Sequence, residues 1–180
     1  VFWEHGYDGS SIADLTASMG ITPQSLYAAF QSKADLYREA LDQYRRMPRP
    51  YPGNPLREQI DTFSAFERFL INSAMIFTAP DHPKGCMIST AVLNCASENE
   101  DIAYHVSSLR QQTLDAFTAR IESGIADGEL RPDTNARSLA RFLGAIVQGM
   151  SVQARDGATS EELMEMVTHA MNELGRYHSS

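Results

Sequence analysis

GYDGSSIADLTASMGITPQSLYAAF, residues 6–30, contains two short helices and the turn between them. Gly6-Tyr7-Asp8-Gly9 reads as a turn. Ser10-Ser11 caps a helix whose apolar positions are Ile12, Leu15 and Met19, and Asp14, three residues after Ser11, completes a capping-box pattern. Gly20 supplies the left-handed stop. Thr22-Pro23 then pairs an N-cap with proline at the first helical position, starting a second helix that runs to about Phe30. Two short helices meeting across a tight turn are the geometry of a helix-turn-helix, in which the first helix supports the second and the second enters the major groove.

Outward from this unit, Ser32 opens a further helix with an acid at Asp35 and an apolar face of Leu36, Tyr37, Ala40, Leu41 and Tyr44, ending at Arg45-Arg46. The run Met47 to Pro55 holds four prolines and a glycine and cannot sustain a helix, so the domain junction is placed here: residues 1–46 form one unit and residues 47–180 the body. In the body, Leu56, Ile60, Phe63, Phe66, Leu70, Ala74 and Phe77 follow helical spacing, and a second breaker at 79–85 precedes a helix expected from about Cys86 to Ala96. A longer helix carries Ile102, Val106, Leu109, Phe117 and Ile121. Another, begun by Asp133 or Thr134, runs to Gly157, and Thr159 to Glu162 is a capping box for the last. No alternating pattern persists long enough for a sheet, so the fold class is all-α. At the other end, the chain opens at Val1 within what reads as the stump of a helix, and a first helix extending upstream is expected.

An apolar fraction of 43% over 180 residues is enough for a substantial core. No apolar run is long enough to span a membrane and no secretory signal is present, so a cytoplasmic protein is expected. The net charge of −8 opposes non-specific coating of nucleic acid, although a helix pair that reads duplex needs only a few well-placed donors. Cys86 and Cys95 lie nine positions apart; on one helix that is about 13 Å, too far for a disulfide. Cys86 is read either as a buried small hydrophobe or as a redox-sensing thiolate. His82 with Cys86 lacks the further ligands of a closed metal site, so neither metal nor cofactor is expected. The five histidines are scattered, with no phosphate loop or nucleophile elbow beside them, which opposes the rival reading of an enzyme.

The combination Gly6-Tyr7, Ser10-Ser11-Ile12-Ala13-Asp14-Leu15, Gly20-Ile21-Thr22, Ser25-Leu26-Tyr27, Phe30, Ser32-Lys33 and Leu36-Tyr37 resembles the signature of the TetR family of transcriptional regulators. The resemblance implies about nine helices, the first truncated here: three make the DNA-binding unit, a fourth links it to the body, and the last two build a homodimeric four-helix bundle. It departs from the family at Thr16, where alanine is usual, and at Met19, where a small residue is usual. The implied function is a repressor that leaves a palindromic operator when a small molecule binds the body.

The candidate DNA contacts are Ser10, Ser11, Thr22, Gln24, Ser25, Tyr27 and Lys33. Gln24 is suited to base readout, and the resemblance gives Tyr27 and Lys33 to phosphates. Ala28 and Ala29 leave the recognition helix sparse in donors, and with the acidic charge they keep open a helical dimer that has lost DNA binding. The candidate ligand pocket is lined by Phe63, Phe66, Met87, Thr90, Asn94, Phe117, Phe142 and Gln148, apolar with a few polar anchors. The candidate dimer interface is Leu139, Leu143, Ile146, Val147, Met150, Leu163, Met166, Val167, Ala170 and Leu174, a stripe interspersed with small residues on the last two helices.

Overall fold

The structure, a computed structural model, describes residues 1–47, 54–91 and 99–179. Among these residues the named elements are all helical: α1 (Phe2–His5), α2 (Ile12–Met19), α3 (Pro23–Ala29), α4 (Lys33–Arg46), a 3₁₀ turn at Pro55–Arg57, α5 (Thr62–Thr78), α6 (Glu100–Ala126), α7 (Ala136–Arg155) and α8 (Ser160–Gly175). The caps follow the sequence pattern. Ser11 and Thr159 form complete capping boxes with Asp14 and Glu162, while Thr22, Ser32, Asp61 and Asn135 each accept a backbone N–H from the first turn of their helix.

Two apolar clusters hold the molecule together. The first joins Phe2, Tyr7, Leu15, Leu26, Leu36, Tyr37, Leu41 and Tyr44 of the N-terminal helices. Phe2, Tyr7 and Tyr37 form its aromatic centre, with Phe2 and Tyr37 edge to face at 4.9 Å. Ile102, Val106 and Leu109, from the first half of α6, complete the same cluster. The second lies between α5, α7, α8 and the second half of α6; Phe117 is its hub, meeting Phe66 and Phe69 edge to face at 5.2 and 5.0 Å. Both cores therefore rest on α6.

Polar bonds add to this join. Arg155, in the last turn of α7, donates to the carbonyls of Trp3 and Glu4 at the end of α1 and to the Thr90 hydroxyl. The Trp3 indole donates to Gly85 O at 3.2 Å and stacks on His82 at 4.3 Å. Arg38 pairs with Asp101 at 2.5 Å.

Two expectations change. The helix predicted from Cys86 is a run of turns over 87–90. There the Thr90 N–H and hydroxyl both bond to the Cys86 carbonyl, but the Ala91 N–H bonds three residues back to Ile88 and the Arg110 guanidinium takes the Ile88 and Ala91 carbonyls, so the α-helical ladder is not continued. Its continuation, including Asn94 and Cys95, lies outside the described residues. The helix read from Leu56 begins at Thr62, because Asn54 caps a separate 3₁₀ turn and Asp61 caps α5.

Gly85 adopts φ +78°, and a Cβ there would lie 2.6 Å from Ser151 O and 2.9 Å from Arg155 Cγ. Gly85→Ala combines left-handed strain with a clash against the α7 backbone. It should destabilise the chain by about 2–4 kcal/mol, read by urea unfolding.

Candidate nucleic-acid interface and body cavity

The turn between α2 and α3 is built as its residues require. Gly20 sits at φ 65° and ψ 30°, and its N–H bonds back to the carbonyls of Thr16 and Ala17. The Thr16 hydroxyl bonds to Ile12 O at 2.8 Å within the helix, which lets a polar residue occupy a buried position. Leu26 is the one fully buried anchor of α3. Around it Thr22, Gln24, Ser25, Tyr27, Ala28 and Ala29 are all exposed, and Tyr27 is 49% accessible.

The Thr22 hydroxyl accepts from Ser25 N and lies 3.0 Å from Ser25 Oγ, so these two side chains are held together at the N-terminal end of α3. Gln24 stands beside them. Lys33, in the first turn of α4, places its ammonium over the Tyr7 ring at 4.3 Å; this fixes its position without neutralising its charge.

In the body, a cavity of about 900 Å³ opens where α4, α5, α6 and α7 converge with the turn after Gly85. Phe69, Ile76, Phe77, Leu109 and Val147 form its apolar wall. Its polar lining includes Asn72, Ser73, Thr113, Gln148, Arg110 and Cys86, whose sulfur accepts from the Tyr44 hydroxyl at 3.3 Å. A further surface lies on the outside of α7, where Phe142, Ala145, Ile146, Gly149 and Val152 follow one another at helical spacing; Phe142 is 38% and Val152 46% exposed.

The description "Bacterial regulatory proteins, tetR family" matches residues 1–40, and "Tetracyclin repressor-like, C-terminal domain" matches residues 67–171. The chain belongs to the TetR family. Among similar members is the HTH-type transcriptional repressor ComR of Escherichia coli K12, 34% identical over 92% of this chain and 80% of that protein. The repressor BdcR of the same organism is 27% identical over 91% of this chain and 78% of its own length. A cysteine mutant of the TetR family transcriptional regulator CifR, complexed with 26bp double-strand operator DNA, matches with a TM-score of 0.88 at 36% identity, over 96% of this chain and 90% of that one. This TetR-family chain is a transcriptional regulator and not an enzyme. Among the described residues, no helix is long and apolar enough to cross a membrane.

Against this family frame, the structure groups Thr22, Gln24, Ser25 and Tyr27 on one exposed surface, with Lys33 beside Tyr7. Ser11 is exposed but committed to its capping box with Asp14. Ser10 is corrected. It is 1% exposed and its hydroxyl donates to Gly6 O at 2.6 Å, so it closes the turn and is not offered to a phosphate.

The pocket is corrected more heavily. Of the residues predicted to line it, the cavity is lined by Gln148, and Asn94 lies outside the described residues. Phe66 and Phe117 are wholly buried in the body core, and Met87 belongs to the N-terminal core. Phe63 packs beside His178, Thr90 bonds to Cys86 and Arg155, and Phe142 faces outward on α7. Residue type alone does not separate a core aromatic from a wall aromatic.

The dimer stripe is corrected for a related reason. Leu139, Leu143, Val147, Met150, Leu163, Val167, Ala170 and Leu174 are buried in the chain's own core, leaving Ile146 and Met166 partly exposed. Helix α7 carries two apolar faces, and the stronger one turns inward.

The Asp14 carboxyl is held below its ordinary value by the hydroxyl and N–H of Ser11. A depressed carboxylate contributes stability that is present above the unfolded value and lost as pH falls through the folded one. Ser11→Ala should therefore destabilise the chain most at about pH 7, with the difference shrinking at about pH 3, in urea unfolding at each pH.

Proposed function

We propose that this chain is a ligand-responsive repressor: a homodimer that holds a palindromic operator and releases it when a small molecule enters the body cavity. The observation that carries this reading is the exposed polar end of α3, where Thr22, Gln24, Ser25 and Tyr27 stand clear of the core, with the Lys33 ammonium held over the Tyr7 ring at the start of the next helix. Backbone N–H groups at a helix N-terminus attract phosphate, and a glutamine there can pair with an adenine edge. The repressor names of ComR and BdcR, and the operator complex of CifR, support the same function.

Residues 1–46 act as the reading unit and residues 47–180 as the sensing and pairing body, with the first half of α6 lent to the N-terminal core. Pairing through the outer face of α7, from Phe142 to Val152, would set the two recognition helices about 34 to 36 Å apart on successive major grooves. Cytoplasmic location follows from that partner. A ligand shifts the protein off its operator only through unequal affinity for the bound and released shapes.

Gln24→Ala should cost about 1–3 kcal/mol at the preferred operator and relax sequence preference, whereas Lys33→Ala should weaken binding evenly across sequences and reduce the salt slope by about one. Mobility shift across a salt series reads both. Operator affinity unchanged by Gln24→Ala, Tyr27→Ala and Lys33→Ala together would remove α3 as the binding surface. Phe142→Glu with Val152→Glu should give a monomer in sedimentation at micromolar concentration, because charges replace apolar contacts at the centre of the pairing face.

A further inference from the structure

We propose that the body cavity takes a small organic anion, an apolar ring or chain ending in one carboxylate or similar head, with Arg110 as its anchor. This rests on the reading of the cavity as the effector site and names the class of effector. The charge of the cavity opposes that of the protein: among the described residues Arg45, Arg57 and Arg110 line it against the single acid Asp115, in a chain whose net charge is −8. Arg57 and Arg45 are exposed at the rim, and Arg45 lies 3.8 Å from Asp42 and donates to Gln112.

Arg110 differs from both. It is half-buried, and its Nη1 donates to the carbonyls of Ile88 and Ala91 at 3.3 and 2.9 Å. Among the described residues no carboxylate pairs with it, and Nε and Nη2 have no protein acceptor. Burial lowers its pKa below the ordinary guanidinium value, offset only in part by Tyr37. A desolvated cation carries an electrostatic penalty that a neutral ligand leaves in place and an anion relieves. The free Nε and Nη2 edge also matches the fork of a carboxylate. In the same cavity lining, Phe69, Ile76, Phe77, Leu109 and Val147 offer an apolar bed for the rest of the molecule.

The same guanidinium touches the reading unit indirectly. Ala91, whose carbonyl it holds, is packed with Met87 in the N-terminal core. An anion drawing on Arg110 therefore acts on a segment that belongs to the N-terminal core.

Calorimetric titration of the full chain with phenylbutanoate and with phenylbutanol, alike except for the head group, tests the assignment. The carboxylate should bind at least about tenfold more tightly, and Arg110→Gln should abolish that preference while alcohol affinity stays within about threefold. Equal affinities, a preference that survives Arg110→Gln, or no binding of either compound overturns the proposal. Because the comparison on the unsubstituted protein needs no variant, it decides even if Arg110→Gln does not fold. Mobility shift on operator DNA separates the two readings: preferential anion binding without operator release supports the anion site and removes its role as effector site. Release by both compounds alike keeps the effector role and removes the anion.

Discussion

Everything in this molecule depends on one helix serving two cores. The first half of α6 supplies Ile102, Val106 and Leu109 to the N-terminal cluster, and the second half supplies Phe117 and Ile121 to the body. Burying an apolar side chain of this size contributes about 1.5–3 kcal/mol, so neither core keeps its stability if α6 leaves it. The body cavity lies along the stretch between, from Leu109 to Ala116, where α6 passes from one cluster to the other. A molecule entering there sits against the shared element and not against the periphery of either part.

Much of the fold was legible because helix ends are written in short-range chemistry. Ser11 with Asp14, Gly20, Thr22 with Pro23, and Thr159 with Glu162 each act within one turn, and each is where the pattern put it. The turns at 87–90 were not legible, since the Ala91 N–H bonds three residues back to Ile88 and the distant Arg110 guanidinium takes the Ile88 and Ala91 carbonyls, a contact that no local pattern shows. The sharing of α6 was hidden as well. Periodicity shows which face of a helix is apolar but not that its two halves face different partners.

The candidate site divides along the same line. The exposed candidates on α3 were legible as surface residues because they stand on a short helix whose single buried residue, Leu26, fixes the orientation of the rest. Ser10 failed because capping and turn closure use the same hydroxyl chemistry as phosphate binding. The lining of the cavity and the outward apolar stripe of α7 were not legible: large apolar residues at helical spacing mark burial, and only three-dimensional packing tells a core from a cavity wall or an outward stripe. Arg110 had no sequence signal beyond being one charge on a long amphipathic helix.

The geometry of α6 has a mechanical side. Its 27 residues make a rod about 40 Å long at about 1.5 Å per residue, with the cavity near its middle. Turned about that middle by about five degrees, each end travels about 2 Å over its half-length of about 20 Å. The end at Glu100 adjoins Arg38 of α4 through Asp101, and Asn99 just before it holds Asp8 in the turn ahead of α2. A pivot of a few degrees at the cavity would thus act as a lever on the two elements that adjoin α2 and α3, with no side chain of α3 needing to change its own packing.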